Sequence, residues 1–283
     1  MKLATAMPRP QSYKRKKVFH MLFAKFERCL YTRSPLVEVI CQLRFPAILS
    51  IGSGEPAEFQ EAVRHDFPRY AARQERPAPK ITGLGGPNPT VEPQPPITNY
   101  HFISEDGHWK LNLTQNFISL STLAYPRWEE FARRLDKPLA AFIATYHPDF
   151  FERIGLRYVN AVSRQRLGLT DLLWDDLIQS PYLGILGEPD VDEKTVNKCA
   201  VDIETRLSDG CHLKLHAGPG LLGGGKKDPE PKFILDQDLS SAGQITAEEI
   251  PQRLDQLHQY AGGLFHGAIT DELHEAMGPV KAD

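Results

Sequence analysis

Six side chains in the later part of the sequence have the chemistry of a hard-metal or zinc site: Asp202, Glu204, His212, His216, Asp236 and Asp238. Carboxylates and imidazoles converging on one sheet face could hold a divalent cation, so a metal-assisted hydrolase or nuclease using Asp202, Glu204, His216 and Asp236 is one function open to the chain. Register argues the other way. If Ser208-Asp209-Gly210 forms a three-residue hairpin loop with Gly210 at the left-handed position, Arg206 faces His212, Glu204 faces Lys214 and Asp202 faces His216. The acids are then matched by cross-strand charges on a solvated face, where neighbouring positions diverge rather than enclose an ion. The sequence also has no helix-borne HxxxH and no CxxC to close a coordination shell, and no cofactor is expected.

Other chemical signals weaken on inspection. The run from Gly220 to Lys227 contains GxxxxGK, but Lys227 stands where a phosphate loop needs Ser or Thr, and Asp228-Pro229-Glu230-Pro231 forbids the helix that would receive the phosphate. His258, His266 and His274 recur every eight residues, which rotates each by about 80° around a helix and gives them no tight common face. No G-x-S-x-G elbow occurs, and no Cys sits in an electropositive turn. The polar residues of two strands are more suggestive: Glu38, Gln42 and Arg44 on one, Arg157 and Asn160 on the other. If those strands are neighbours, the five could line a groove on the sheet face away from the helices. The plainer reading is a solvated face with an internal ion pair such as Glu38 with Arg157, as open antiparallel sheets usually have one wet side.

The elements that must position these residues follow from periodicity. Residues 36–45 alternate, with Val37, Val39, Cys41, Leu43 and Phe45 facing one way, which predicts a strand. A short helix is expected over 56–67, a mobile Pro- and Gly-rich loop over 77–96, and a three-stranded meander over 100–122 around an Asp106-Gly107 turn. That turn sets Ser104 opposite Trp109 and Phe102 opposite Leu111. A helix over 128–146 carries Phe131, Leu135 and Phe142 at helical spacing, with a kink expected at Pro138. A second strand over 153–162, a short helix over 171–178, strands over 199–207, 211–217 and 233–239, and a long final helix complete the pattern. Thr246 and Glu249 are spaced as a capping box for that helix, while Pro251 suits its first turn.

Composition bounds the class. With 283 residues, 41% hydrophobic, 24% charged and a net charge of −3, the chain can bury a real core. No apolar run approaches a membrane span of roughly 20 residues and no signal peptide is seen, so no membrane partner and a cytoplasmic location are expected. Cys29, Cys41, Cys199 and Cys211 form no disulfide or zinc framework. Residues 1–20 hold Lys2, Arg9 and the run Lys14-Arg15-Lys16-Lys17 with no acid, leaving the remainder at −9. Nucleic acid is therefore an unexpected partner for the acidic body, with a route only through this tail. Residues 1–25 read as a disordered basic extension, with Met21 an alternative start, followed by halves over 26–150 and 151–283 that pack as one domain.

Several segments resemble a known family. Ser34-Pro35-Leu36-Val37-Glu38-Val39, Phe117-Ile118-Ser119-Leu120-Ser121-Thr122 and Arg153-Ile154-Gly155-Leu156-Arg157-Tyr158-Val159-Asn160 are similar to segments of a sporadically distributed prokaryotic protein family that has no assigned activity. The resemblance implies a prokaryotic protein, with the patchy distribution of mobile or defence-type gene neighbourhoods, and it supplies no catalytic residues. The fold expected is α+β: two similar strand–helix–three-strand–helix halves, joined in one antiparallel sheet with long helices on one face. That outline is analogous to GyrI-like or TBP-like duplicated folds, an analogy that does not decide function. The function expected is non-enzymatic binding of an unknown protein or small molecule at the open sheet face or inter-half groove.

Overall fold

The computed structural model describes residues 22, 23, 25–76, 78–82, 90–225 and 228–282. The basic run 14–17, Met21, and Lys226 and Lys227 of the glycine-rich loop lie outside the described residues, as does part of the expected loop over 77–96. In chain order the elements are β1 (Cys29–Tyr31), β2 (Leu36–Arg44), α1 (Leu49–Gly52), α2 (Ala57–Val63), β3 (Arg69–Glu75), β4 (Lys80–Thr82), β5 (Thr90–Glu92), β6 (Ile97–Ile103), β7 (Trp109–Leu113), β8 (Phe117–Thr122) and α3 (Trp128–Tyr146). They continue with β9 (Phe151–Val162), α4 (Arg164–Leu167), α5 (Trp174–Leu177), β10 (Val201–Arg206), β11 (His212–Gly220), β12 (Lys232–Ile245), α6 (Ile250–Ala268), α7 (Asp271–Ala276) and β13 (Pro279–Lys281).

The fold is α+β, built on a nine-stranded antiparallel sheet in the order β10-β11-β12-β9-β2-β8-β7-β6-β3. Its centre is the pairing of β2 with β9, which sets Cys41 opposite Leu156 and Leu43 opposite Ile154. Each lead strand is flanked by the last strand of a meander: β6-β7-β8 returns to β2, and β10-β11-β12 returns to β9. Val39, Cys41, Leu43, Leu111, Leu120, Leu156 and Leu239 bury one continuous face at 0% exposure. The rings of α3 reach that face, Phe142 lying 4.7 Å from Phe45 and Phe131 5.8 Å from Trp109. The stripe of α6, including Leu254, Leu257 and Leu264, covers the other half and is fully buried.

The registers expected from apolar pairing are the observed ones. Tyr100 faces Leu113, Leu111 faces Leu120, Ile203 faces Leu215 and Asp202 faces His216. Gly210 takes φ +86°, as the three-residue loop requires, and the Leu207 N–H donates to the Cys211 carbonyl at 2.7 Å. Both start signals of the last helix operate: the Thr246 N–H donates to Glu249 Oε2 at 2.9 Å across a 3-10 turn, and Pro251 sits in the first turn of the α-helix that begins at Ile250. α3 runs on through Pro138 as one helix.

Other expectations need correction. Ser104 opposite Trp109 leaves four residues in the turn, not two; Asp106 holds it by accepting from Ser104 Oγ at 2.5 Å and the His108 N–H at 2.9 Å. The first half has an extra edge strand, β3, whose charged and mostly exposed sequence carries no apolar period to announce it. β4 and β5 pair within the stretch expected to be a loop. β12 extends to Ile245 through a bulge that uses Gly243 at φ +141°. Contacts also begin before residue 26, because Phe23 packs 4.8 Å from Tyr260.

Leu156 and Arg157 are adjacent on β9 but face opposite ways, one fully buried and the other with its side chain 45% exposed. Leu156→Ala is expected to cost about 2–5 kcal/mol of unfolding free energy in denaturant titration. Arg157→Ala should cost no more than about 1 kcal/mol, since its ion pair with Asp236 is solvent-screened.

Candidate functional site

Alternation along β9 turns Tyr158 and Asn160 toward the helices and Arg157 and Val159 toward the open face. On β12, Gln237 lies opposite Tyr158, and Leu235 lies opposite Asn160. A register shift at the start of β2 then places Leu36 opposite Asn160 as well. These residues floor a cavity of about 760 Å³ on the helix side of the seam, bounded by the start of α3, by α6 and by residues 25–36.

The segment over residues 25–36 is tied down at both ends. β1 pairs with β13, and the Thr32 and Arg33 N–H groups each donate at 3.0 Å to the Gly278 and Met277 carbonyls. Arg28 forms a two-point ion pair with Glu129 at the start of α3, which holds that carboxyl down to about 2. Phe26 stacks on His266 with centroids 4.3 Å apart. Gly262 permits this approach: a Cβ there would lie 2.5 Å from Phe26 Cζ. A glycine inside a helix otherwise costs about 1 kcal/mol relative to Ala.

Most polar groups around the cavity are paired. Tyr158 Oη lies 2.9 Å from His258 Nδ1, and the His258 ring stacks on Trp128 at 4.5 Å. The Trp128 indole N–H donates to Asp255 Oδ1 at 2.8 Å, and Asn160 Nδ2 donates to the Leu235 carbonyl at 3.4 Å. Three buried polar atoms are different. Gln237 Oε1, Gln237 Nε2 and Tyr125 Oη make no hydrogen bond, and Gln237 is 0% exposed. An unsatisfied buried donor or acceptor costs about 1–3 kcal/mol, and this amide leaves both of its polar atoms unmet, whereas Asn99 and His101 elsewhere in the core leave one each.

Burial also sets the protonation states. It pushes the Tyr125 phenol up to about 12 and Tyr158 well above its ordinary value, so both hydroxyls remain donors at neutral pH. It pulls His258 down to about 4, and does the same to His266, which lies 4.0 Å from Cys29 Sγ through Nε2. These imidazoles are neutral.

The final histidines illustrate what spacing alone misses. His266 and His274 do not fall on one helix, because α6 ends at Ala268 and α7 starts at Asp271, and their rings come to 5.7 Å. His274 Nδ1 also meets Tyr31 Oη at 2.8 Å. Gln237 could have been noticed as the one polar residue among the helix-facing positions Phe233, Leu235 and Leu239.

The open face is laid out differently from the expected groove. Arg157 pairs with Asp236, its Nε donating at 2.7 Å, rather than with Glu38. Arg153 pairs with Asp238 at 2.8 Å and reaches Gln42 Oε1 at 3.5 Å, while Arg44 is exposed opposite Arg153. Glu38, Gln42, Arg44 and Arg157 share this face, but Asn160 does not: it is three residues from Arg157, an odd step that places it on the other side of the sheet. Glu204 pairs with Lys214 at 3.0 Å and Asp202 with His216 at 2.8 Å. Asp202, Glu204, His216 and Asp236 are thus spread over three strands and matched in charge. Among the described residues no three His, Cys, Asp or Glu side chains come together as metal ligands.

No protein-family model matches the chain, and no curated protein matches it.

Two measurements follow from this geometry. Gln237→Leu removes the unpartnered amide at nearly constant volume, so in the ligand-free protein it should raise the unfolding free energy by about 1–3 kcal/mol. A loss of stability would mean that the amide is satisfied within the fold. His258 and His266 have folded values near 4 against 6.5 unfolded, so between these limits the unfolded chain binds more protons. Stability should be whole above about pH 6.5 and fall as the pH drops toward about 4. His258→Gln should flatten the dependence of the thermal midpoint on pH across this window.

Proposed function

We propose that this protein is a non-enzymatic binding module that holds a small molecule in the cavity at the seam of its two halves. The observation that carries the reading is the fully buried, unpartnered amide of Gln237 beside that cavity. A volume of about 760 Å³ falls within the roughly 300–1,000 Å³ range of small-molecule sites, and apolar walls with a few fixed polar groups match their usual chemistry. The neutral, stacked His258 and the paired Asp255 supply neither a charged acid–base pair nor a metal shell, which favours binding over turnover. No helix among the described residues is long and apolar enough to cross a membrane. We place the protein's action in the cytoplasm.

The alternative of a metal-assisted hydrolase at the smaller pocket on the open face, about 360 Å³, has less support, because each of its carboxylates already faces a base there.

Native mass spectrometry of the gently purified full chain, paired with small-molecule analysis of the denatured protein, tests the reading. A stoichiometric small molecule is expected. Its binding should quench or shift the emission of Trp128 and should weaken about tenfold in Gln237→Leu, the loss of about 1.4 kcal/mol. A bound molecule whose affinity is indifferent to both Gln237 and Trp128 would move the site elsewhere.

A further inference from the structure

Resting on the reading of the cavity as a ligand site, we infer that its ligand is a planar ring carrying a cis-amide edge: a ring N–H beside a C=O, as in a lactam, a cyclic imide or an oxo-nucleobase. Gln237 presents one acceptor, Oε1, and one donor, Nε2, side by side, and the protein partners neither. The complement of that pair is a donor and an acceptor in one plane on the same edge of a molecule. A trans peptide projects its N–H and C=O in opposite directions, so an extended peptide backbone cannot supply it. A carboxylate only accepts, and would set its charge against Oε1. A guanidinium or ammonium only donates, and would leave Nε2 unmatched.

The walls narrow the class further. Asp255 is the one carboxylate lining the cavity among the described residues, and the Trp128 indole N–H occupies it. Lys25, Arg28 and Arg127 also line the cavity, so a cationic ligand meets more like charge than counter-charge. Trp128, Tyr125, Tyr158 and Phe26 supply aromatic surface, which favours a flat ring through offset stacking and edge contacts. Tyr125 Oη, buried beside the Tyr158 hydroxyl, adds one hydroxyl for a second acceptor on the same ring. In the ligand-free form the Gln237 amide is closed off from solvent, and its terminal torsion, which is broad and soft, lets the amide plane turn to match a bound ligand.

The test is ligand-observed NMR and Trp fluorescence titration on the full chain with three probe sets. The first is uridine, inosine and 2-pyridone, each with a cis-amide edge. The second is their N-methylated counterparts, such as 3-methyluridine, which keep the ring and lose the donor. The third is naphthalene and indole. Binding by at least one cis-amide probe, weakened tenfold or more by N-methylation, is expected. Gln237→Leu should erase that discrimination while leaving indole binding intact, which also shows that the variant is folded. Equal binding of a cis-amide probe and its N-methyl partner, or binding of the aromatic hydrocarbons alone, overturns the cis-amide inference but leaves the cavity a ligand site. No binding by any probe, together with no small molecule in the purified protein, overturns both.

Discussion

Everything in this molecule depends on the antiparallel pairing of β2 with β9. Each half buries only one side of a modest sheet, and a half alone would end in an unpaired lead strand, with a row of open N–H and C=O groups and an apolar face running off its edge. Joining the two lead strands removes both edges at once. It makes one apolar face from Leu111 through Cys41 and Leu156 to Leu239, wide enough for α3 and α6 to lie on it. The sheet is therefore a single cooperative core rather than two cores in contact.

The same junction makes the cavity. The two long helices placed over the two halves meet through Trp128, which stacks on His258 and donates to Asp255, and the sheet beside that contact is floored by Tyr158, Asn160 and Gln237 rather than by large aliphatic side chains. The segment over residues 25–36 closes the cavity, held by the β1–β13 pairing, the Arg28–Glu129 ion pair and the Phe26–His266 stack. A site roofed by a strap rather than by core packing can admit a ligand at limited cost, because the strap's contacts are local and its side chains are partly exposed. The opposite sheet face holds a smaller pocket of about 360 Å³ beside Arg157, Asp202, Glu204, His216 and Asp236, but its charges are matched in pairs across strands, so no unmet electrostatic demand arises there.

Gln237 is where local and global demands conflict. Its nearest same-face neighbours on β12, Leu235 and Leu239, are apolar, and the position is sealed from solvent, yet an amide with two unmet hydrogen-bonding atoms occupies it. A residue that breaks the pattern of a well-satisfied core at the wall of a cavity is the usual trace of function held at the expense of stability.

The sequence by itself determined the lead strands β2 and β9, the α3 boundaries Trp128–Tyr146, the meander registers and the Gly210 hairpin loop. These depend on period, on turn chemistry and on matching one apolar strand face to the next, all of which are local. It also held enough to separate Arg157 from Asn160, since an odd step along a strand changes face. Only tertiary structure decided which residues share a site. Gln237 reads as one of several polar residues of β12 until that strand is laid against β9 and a cavity opens beside it. His266 and His274 look unrelated until a helix break at Ile269 turns the chain back. Leu36 joins Asn160 only through a bulge. The edge strand β3 was silent for the same reason: its conformation is imposed by pairing with β6, and its exposed side chains record nothing of that pairing. Periodicity encodes which way a side chain points, but what it points at is set by elements far away in the chain.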